Sequence, residues 1–369
     1  MHLIKEYTLE FKPDLEYTMQ RMEAFWEHTV LDRPVTQFYL EKPKHEQIAL
    51  PAAGHASIRD RWMDVDYQAR LTLAQFSNRL FLGDSLPAAF PNLGPEILAA
   101  FYGCPIEFGD YGTSWTDPIL HDWSQSGQIE LDLDNPYFSR LMELTDAMLD
   151  LGRDRFIVGM PDFHPGGDLA AALRNPQDLA VDMIDHPDEI KALLTRLEPD
   201  YFKIFDIWYN KYAAIGQPIT SWLELASYGR YYIPSNDFSA MISQKMYREF
   251  FLPGIMAECR FLDRSIYHLD GPGALRHLDT ILQIEELDAV QWVPGAGREI
   301  FSQWIPVYQK IQAAGKSMFV YCNLDELPLI MQSLAPGGLA ISINGMPDAE
   351  TAANVLSSLK SWSRGFPVS

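Results

Sequence analysis

The chain has 369 residues, of which 47% are hydrophobic and 21% charged, a composition typical of a globular protein with a large core. Its formal net charge of −21 argues against binding to nucleic acid or to an anionic membrane, since both carry the same sign. The sequence contains no apolar run of about eighteen residues, no secretory signal and no disulfide pattern among Cys104, Cys259 and Cys322, so we expect a cytoplasmic protein.

The predicted elements alternate between short apolar runs and longer amphipathic stretches, a pattern typical of βα units around a parallel sheet. A first helix is predicted over 14–27, because apolar residues recur there at helical spacing. A short helix is expected after Gly94 and Pro95, and the segment 106–122 is expected to form a hairpin or an excursion. Further helices are predicted at 66–80, 136–151, 187–214 and 239–261, the last with a kink or break at Pro253. Strands are predicted at 35–40, 87–92, 156–160, 219–225, 265–269, 289–293, 317–321 and 339–343.

Eight strands with intervening helices match the arithmetic of a closed (β/α)₈ barrel. We therefore predict a single α/β domain over 1–369, a TIM barrel with an N-terminal helical extension. A doubly wound open sheet is the alternative fold. Such a sheet usually carries a GxGxxG turn, and the sequence has neither this turn nor any other nucleotide-cofactor motif.

Side chains that follow the predicted strands are the candidates for function, since barrel enzymes place their chemistry at the C-terminal ends of the strands. Arg230 could pair with a substrate carboxylate, whereas the aromatic candidates could equally belong to the core. Asp168 and Asp237 have a local interpretation as helix caps. The residues predicted to shape a substrate pocket are Asp162, His164, Trp222, Arg230, Tyr232, Trp292 and Asn344.

The strongest candidate is the pair His268 and Asp270 at the end of the fifth predicted strand. Residues two apart in a strand point to the same side, so the imidazole and the carboxylate should lie together. Such a pair can perform acid–base catalysis or bind a metal ion. Cys322, near the end of the seventh predicted strand, could be a third metal ligand or a nucleophile; a buried structural thiol is the alternative.

Five segments at or near these strand ends carry a family resemblance: GMPDFHPGGDLAAALRNP, DFSAMISQKMYREFFLP, SIYHLDGPGALRHLDTI, AVQWVPGAG and SINGMPDAETAANV. They resemble the uroporphyrinogen decarboxylase superfamily, which also contains cobalamin-linked methyltransferases, and the similarity covers roughly Arg59 to the C-terminus. The resemblance implies a (β/α)₈ barrel, often dimeric, and an enzyme of small organic molecules that uses methyl transfer or lyase-type chemistry. It also implies that any cobalamin would be carried by a separate corrinoid protein.

The sequence departs from both branches of this superfamily at functional positions. Authentic decarboxylases have an arginine-rich N-terminal signature that is absent here, and their catalytic aspartate and C-terminal histidine fall at Asn92 and near Asn344. These differences argue against uroporphyrinogen decarboxylation. The methyltransferase branch holds zinc with a His-x-Cys pair and a further cysteine, which correspond to His268, Asp270 and approximately Asn344. The resemblance therefore implies a changed site for zinc or another divalent ion. The alternative is a non-catalytic binding barrel that has lost the family chemistry.

Overall fold

The computed structural model describes residues 8–109 and 112–366 and shows a mixed α/β protein built on a seven-stranded, mostly parallel sheet. The strands are β1 Val35–Glu41, β2 Arg79–Gly83, β3 Ala88–Ala89, β4 Ile106–Phe108, β5 Ser114–Thr116, β6 Ile157–Val158, β7 Ile219–Thr220, β8 Ala226–Ser227, β9 Tyr231–Tyr232, β10 Arg264–Asp270, β11 Ala289–Val293, β12 Ser317–Asn323 and β13 Leu339–Asn344.

Helices follow most of the strands and cover the sheet. The α-helices are α1 Leu15–Trp26, α2 Ile58–Met63, α3 Val65–Ser77, α4 Ile97–Ala100, α5 Pro136–Gly152, α6 Gly166–Arg174, α7 Pro176–Asp185, α8 Pro187–Ala214, α9 Gln244–Met246, α10 Leu252–Phe261, α11 Gly271–Ala274, α12 Leu278–Ile281, α13 Ile305–Ala313, α14 Leu327–Ser333 and α15 Ala349–Trp362. Short 3₁₀ helices lie at Trp123–Gln128, Asp237–Met241, Leu275–His277, Phe301–Trp304 and Leu324–Glu326, and a π-helical turn lies at Tyr247–Phe251.

The strand order in the large sheet is β2-β1-β13-β12-β11-β10-β9, and the pairs are parallel except for β1 with β2. Neighbouring parallel strands end at the same edge, so the residues at their C-terminal ends come together. In the register of β10 and β11, His268 lies opposite Gln291 and Asp270 opposite Val293. Asn323 of β12 lies opposite Asn344 of β13.

The remaining strands form short pairs beside the large sheet. β3 pairs with β6 in parallel, β7 pairs with β8 antiparallel, and β4 with β5 forms the hairpin expected within 106–122. Of the predicted strand over 219–225, only Ile219–Thr220 forms a strand, because the chain reverses between β7 and β8 and Glu224 takes a positive φ of 55° in the turn. Residues 110 and 111, within the predicted hairpin segment, lie outside the described residues.

Several helices match their predictions closely. α8 spans 187–214 as predicted; Pro187 lies in its first turn, where a missing amide donor costs nothing, and Gly216 follows its end with a φ of +73°.

Two predicted helices differ from the structure. The predicted helix over 66–80 ends at Ser77 and gives way to β2, an antiparallel strand that was not predicted. The predicted helix over 239–261 is broken into a 3₁₀ turn, α9, the π turn and α10, and Pro253 lies in the first turn of α10.

Apolar side chains form two large buried clusters. One surrounds α1, α5, α8 and the short strands, and the other lies between β10–β13 and the helices that cover them. Within the described residues, no helix is both long and apolar enough to span a membrane.

Candidate functional site

His268 is held at the C-terminal half of β10 by a chain of hydrogen bonds across three strands. Its Nδ1 lies 2.6 Å from Oε1 of Gln291 on β11, and Nε2 of Gln291 donates to the Tyr321 hydroxyl on β12 at 2.9 Å. Because the Gln291 amide donates toward Tyr321, its oxygen faces the imidazole, and this arrangement assigns the imidazole proton to Nδ1. The lone pair of Nε2 is therefore directed at other groups.

Those groups are two carboxylates. One ligand atom each from Asp237, His268 and Asp270 lies within 4.8 Å of the other two, and Nε2 of His268 lies 3.8 Å from Oδ1 of Asp237. At 3.8 Å the two atoms do not form a hydrogen bond. The structure thus brings His268 and Asp270 together, as their spacing in the strand predicts. With the proton on Nδ1, all three groups can act as acceptors, so together they could hold a cation.

Asp237 is the member of this cluster to which the sequence assigns a different role, as an N-cap. In the structure Asn236 occupies the N-cap position of the 3₁₀ turn. The capping carboxylate is that of Asp168 in α6, which accepts from the backbone N–H groups of Asp237 at 3.1 Å and Phe238 at 2.9 Å. The Asp237 carboxylate is consequently free to face His268. Partial removal from water and the neighbouring Asp168 raise the pKa of Asp237 to about 6, while His268 and His164 oppose this shift.

A second histidine–carboxylate pair lies beside the first. Nε2 of His164 is 2.5 Å from Oδ1 of Asp162, and its Nδ1 is 2.6 Å from the Ser235 hydroxyl. Burial disfavours the charged imidazole, but the carboxylate of Asp162, reinforced by Asp168 and Asp237, outweighs burial and raises the pKa of His164 to about 9. At neutral pH His164 is therefore mostly protonated, and the Asp162 carboxylate balances its positive charge.

Replacing Asp162 with asparagine tests this electrostatic balance. We expect the D162N variant to lower the pKa of His164 by about 1 to 3, because the opposite charge that stabilises the imidazolium is removed. A raised pKa in the folded state means that the stabilisation is fully present below the ordinary value of 6.5 and is lost as the pH rises toward 9. NMR titration of the histidine ring protons gives the pKa, and urea unfolding at pH 6 and pH 9 gives the stability. A His164 pKa unchanged in D162N would contradict the assignment.

Two cavities flank the cluster. A cavity of about 340 Å³ is lined by His164, Asp168 and Asp237 together with apolar residues of α4 and α6. A cavity of about 180 Å³ is lined by Trp222, Glu224, Tyr321 and their neighbours. The Trp222 ring packs edge-to-face on His268 with 5.2 Å between centroids. His268 therefore contacts residues of both cavities.

Glu224 is one of the polar residues at the end of the fourth predicted strand, whereas Gln291 is a neighbour of the cluster that the sequence does not single out. The Glu224 carboxylate accepts a hydrogen bond from the Leu86 N–H at 3.3 Å, and its own burial raises its pKa to about 7 despite that bond. A carboxyl group with this pKa can give or take a proton near neutral pH. Gln291 is fully buried in the middle of an apolar strand, and a polar residue at such a position is the sequence signal that could have identified it.

Four other predicted site residues lie away from His268. Arg230 is at the opposite, N-terminal end of β10, where it pairs with Asp206 at 3.2 Å. Trp292 and Cys322 come directly after the residues whose side chains form the hydrogen-bond chain to His268. Because successive side chains in a strand point to opposite faces, Trp292 and Cys322 point away from His268, into the apolar cluster between β10–β13 and their covering helices. Asn344 is exposed at the end of β13.

Cys322 is accordingly not part of the acidic metal-type cluster. Its Sγ donates to the carbonyl of Asn323 at 3.0 Å, and burial raises the pKa of the thiol to about 12, which disfavours the thiolate that binds metals. Tyr232 is fully buried and has a supporting role. Its hydroxyl donates to the Pro161 carbonyl and accepts from the Phe163 N–H, both at 2.5 Å, which fixes the loop that carries Asp162 and His164.

No family model matches the chain, and a search of curated proteins finds no significant match.

Proposed function

We propose that the protein is an enzyme of small organic molecules whose active centre is a divalent metal ion bound by Asp237, His268 and Asp270. The observation that supports this most strongly is the convergence of three acceptor atoms within 4.8 Å beside two cavities. An imidazole nitrogen and two carboxylate oxygens are ligands suited to zinc and to similar divalent ions. Bound there, the ion would supply Lewis-acid chemistry or lower the pKa of a coordinated water or thiol.

The proposal includes a complete (β/α)₈ barrel as the scaffold. Short strands beside the large sheet support a complete barrel, because hydrogen bonds link three of them side by side in chain order. β3 pairs with β6 in parallel, and the Met160 N–H, just after β6, donates to the carbonyl of Thr220 in β7. In such a barrel the His268 cluster lies at the C-terminal mouth, where barrel enzymes bind their substrates.

The neighbouring side chains have the properties that such a reaction requires. Glu224 can exchange a proton with a molecule in the 180 Å³ cavity, and Trp222 gives that cavity an apolar wall beside His268. The resemblance to the uroporphyrinogen decarboxylase superfamily supports methyl transfer or lyase-type chemistry as the reaction class. In the methyl-transfer case a separate corrinoid protein is the methyl donor. The superfamily also suggests a homodimer, and the cysteine pattern of the sequence suggests a cytoplasmic location.

The Gln291→Leu variant tests the support that this residue gives to His268. We expect divalent-metal affinity to fall by about 10- to 100-fold, the usual effect of losing a hydrogen bond that orients a ligating histidine. The measurement is a metal titration by isothermal calorimetry with the metal-free protein. Gln283→Leu, at an exposed position outside the site, is the matched control and should bind metal normally. Equal affinities of the two variants would refute the role of Gln291.

A non-catalytic binding protein is the second candidate function. Asn92 stands where the superfamily has its catalytic aspartate, and its Oδ1 accepts a hydrogen bond from the Gly94 N–H at 2.7 Å, as in a local turn. The substitution and this local role favour loss of the family reaction. A ligand that binds at the His268 cluster without being converted, in metal-loaded protein, would favour this candidate over an enzyme.

A further inference from the structure

A third cavity, of about 360 Å³, lies outside the site already described, between α8 on one side and the π turn with α10 on the other. Two buried polar groups line it. The Glu258 side chain is 4% exposed and that of Tyr201 is 2% exposed. Within the described part of the chain, neither Oε2 of Glu258 nor the Tyr201 hydroxyl has a hydrogen-bond partner. Buried polar groups almost always have partners, so an unpartnered pair at a cavity wall is a place where a bound ligand or water can supply the missing hydrogen bonds.

The long helix beside this cavity contributes a further acceptor. Pro199 lies inside α8. Proline has no N–H, so the carbonyl of Thr195 does not receive the amide proton that a regular helix would supply from four residues on. Thr195 lines the cavity. The wall therefore favours a ligand that donates hydrogen bonds.

The charge of the lining favours a cation. The Glu198 and Glu249 side chains also line the cavity, and the lining cation Lys191 already pairs with Glu249, its Nζ 2.7 Å from Oε1. The same Nζ lies 5.1 Å from the centre of the Phe250 ring, so the Lys191 ammonium group already forms a cation–π contact with an aromatic side chain of the cavity wall. Additional apolar surface comes from Leu194, Phe202 and Phe251.

We propose that this cavity binds a small alkyl- or arylammonium ion, with its charged head at Glu258 and Tyr201 and its apolar part against the aromatic wall. This site is separate from the metal cluster and does not depend on the proposed function. In the empty protein, burial raises the pKa of Glu258 well above its ordinary value; Asp168 and Glu198 act in the same direction and His164 opposes them. Entry of an ammonium ion should therefore ionise Glu258 and release its proton.

Calorimetric titration of the whole protein with cyclohexylammonium at pH 7 tests the proposal, with cyclohexanol as the neutral isostere. We expect one saturable ammonium site, release of roughly one proton on binding, and affinity for cyclohexanol that is about 10- to 100-fold weaker, the usual advantage of a hydrogen bond to a charged group. Proton release is measured by repeating the titration in buffers of different ionisation enthalpy. Binding of cyclohexanol as tight as that of the ammonium ion, or no saturable binding of either, would overturn the proposal.

Two variants locate the binding. Glu258→Gln keeps the shape of the side chain but removes the charge, so ammonium affinity should fall by about 10- to 100-fold and proton release should disappear. Glu285→Gln, at an exposed position away from the cavity, is the control and should behave as the unmodified protein. Gly254→Leu is independent of the buried carboxyl, since a Cβ at this helical position meets only Oε1 of Glu198 at 3.9 Å and the longer side chain fills the cavity. Unchanged ammonium binding in either folded variant would refute the assignment.

Discussion

Replacing His268 with alanine should abolish stoichiometric metal binding and enzymatic activity while leaving the protein folded. The imidazole is the nitrogen ligand of the proposed centre, and it is oriented by Gln291 and packed on Trp222. Without it, two carboxylates remain as ligands. We expect metal affinity to fall by more than about 100-fold, beyond the effect of losing an orienting partner alone. Metal analysis after dialysis measures the binding, and circular dichroism with thermal unfolding measures the fold.

His45→Ala is the matched control, since the His45 side chain is 79% exposed and lies outside the cluster. It should retain metal and activity. A folded His268→Ala variant with the metal content of the unmodified protein would show that His268 is not a ligand.

Replacing Asp84 with alanine should destabilise the fold more than any surface substitution. Asp84 is fully buried and forms ion pairs with Arg21 and Arg33, and it also accepts from the Thr36 N–H at 2.9 Å. These contacts tie α1 and the segment before β1 to the end of β2. Removing one partner of a buried ion pair leaves an uncompensated charge, here that of the Arg33 guanidinium, whereas Arg21 keeps its ion pair with Asp32 at 2.7 Å. We expect a loss of about 3–5 kcal/mol in the free energy of unfolding.

Urea unfolding measures this loss. The control is Asp66→Ala, which removes an exposed ion pair with Arg70 at 2.5 Å and should cost no more than about 1 kcal/mol. If the two variants lose the same stability, Asp84 does not hold the N-terminal region as described.

The local sequence does not reveal this network, because its three charged members are separated by up to 63 residues.

The sequence predicted those elements whose limits are set locally. β11 spans 289–293 as predicted, because a short apolar run with Val residues between polar neighbours has few alternatives. The start of β2 could not be found in this way. α3 ends at Ser77. The side chain of the next residue, Asn78, bonds the backbone of Ile48, thirty residues away, and this contact favours the end of the helix at this point. The reversal at Glu224 likewise depends on contact with a distant residue, Leu86.

The candidate site also has one part that the sequence could predict and another part that depends on contacts between distant residues. The pairing of His268 with Asp270 follows from strand geometry and could be predicted. The third carboxylate could not, because Asp237 has a local interpretation as a cap and reaches His268 only after Asp168 takes over the capping bonds. Arg230 follows a predicted strand in the sequence, but the strand reversal carries it to the opposite end of β10.

The most direct test of the proposed centre is a crystal structure of the protein after dialysis against zinc or manganese, with an anomalous difference map. We predict one strong peak in contact with His268 Nε2 and with the carboxylates of Asp237 and Asp270. A map with no peak at these three residues, from protein saturated with metal, would contradict the proposal.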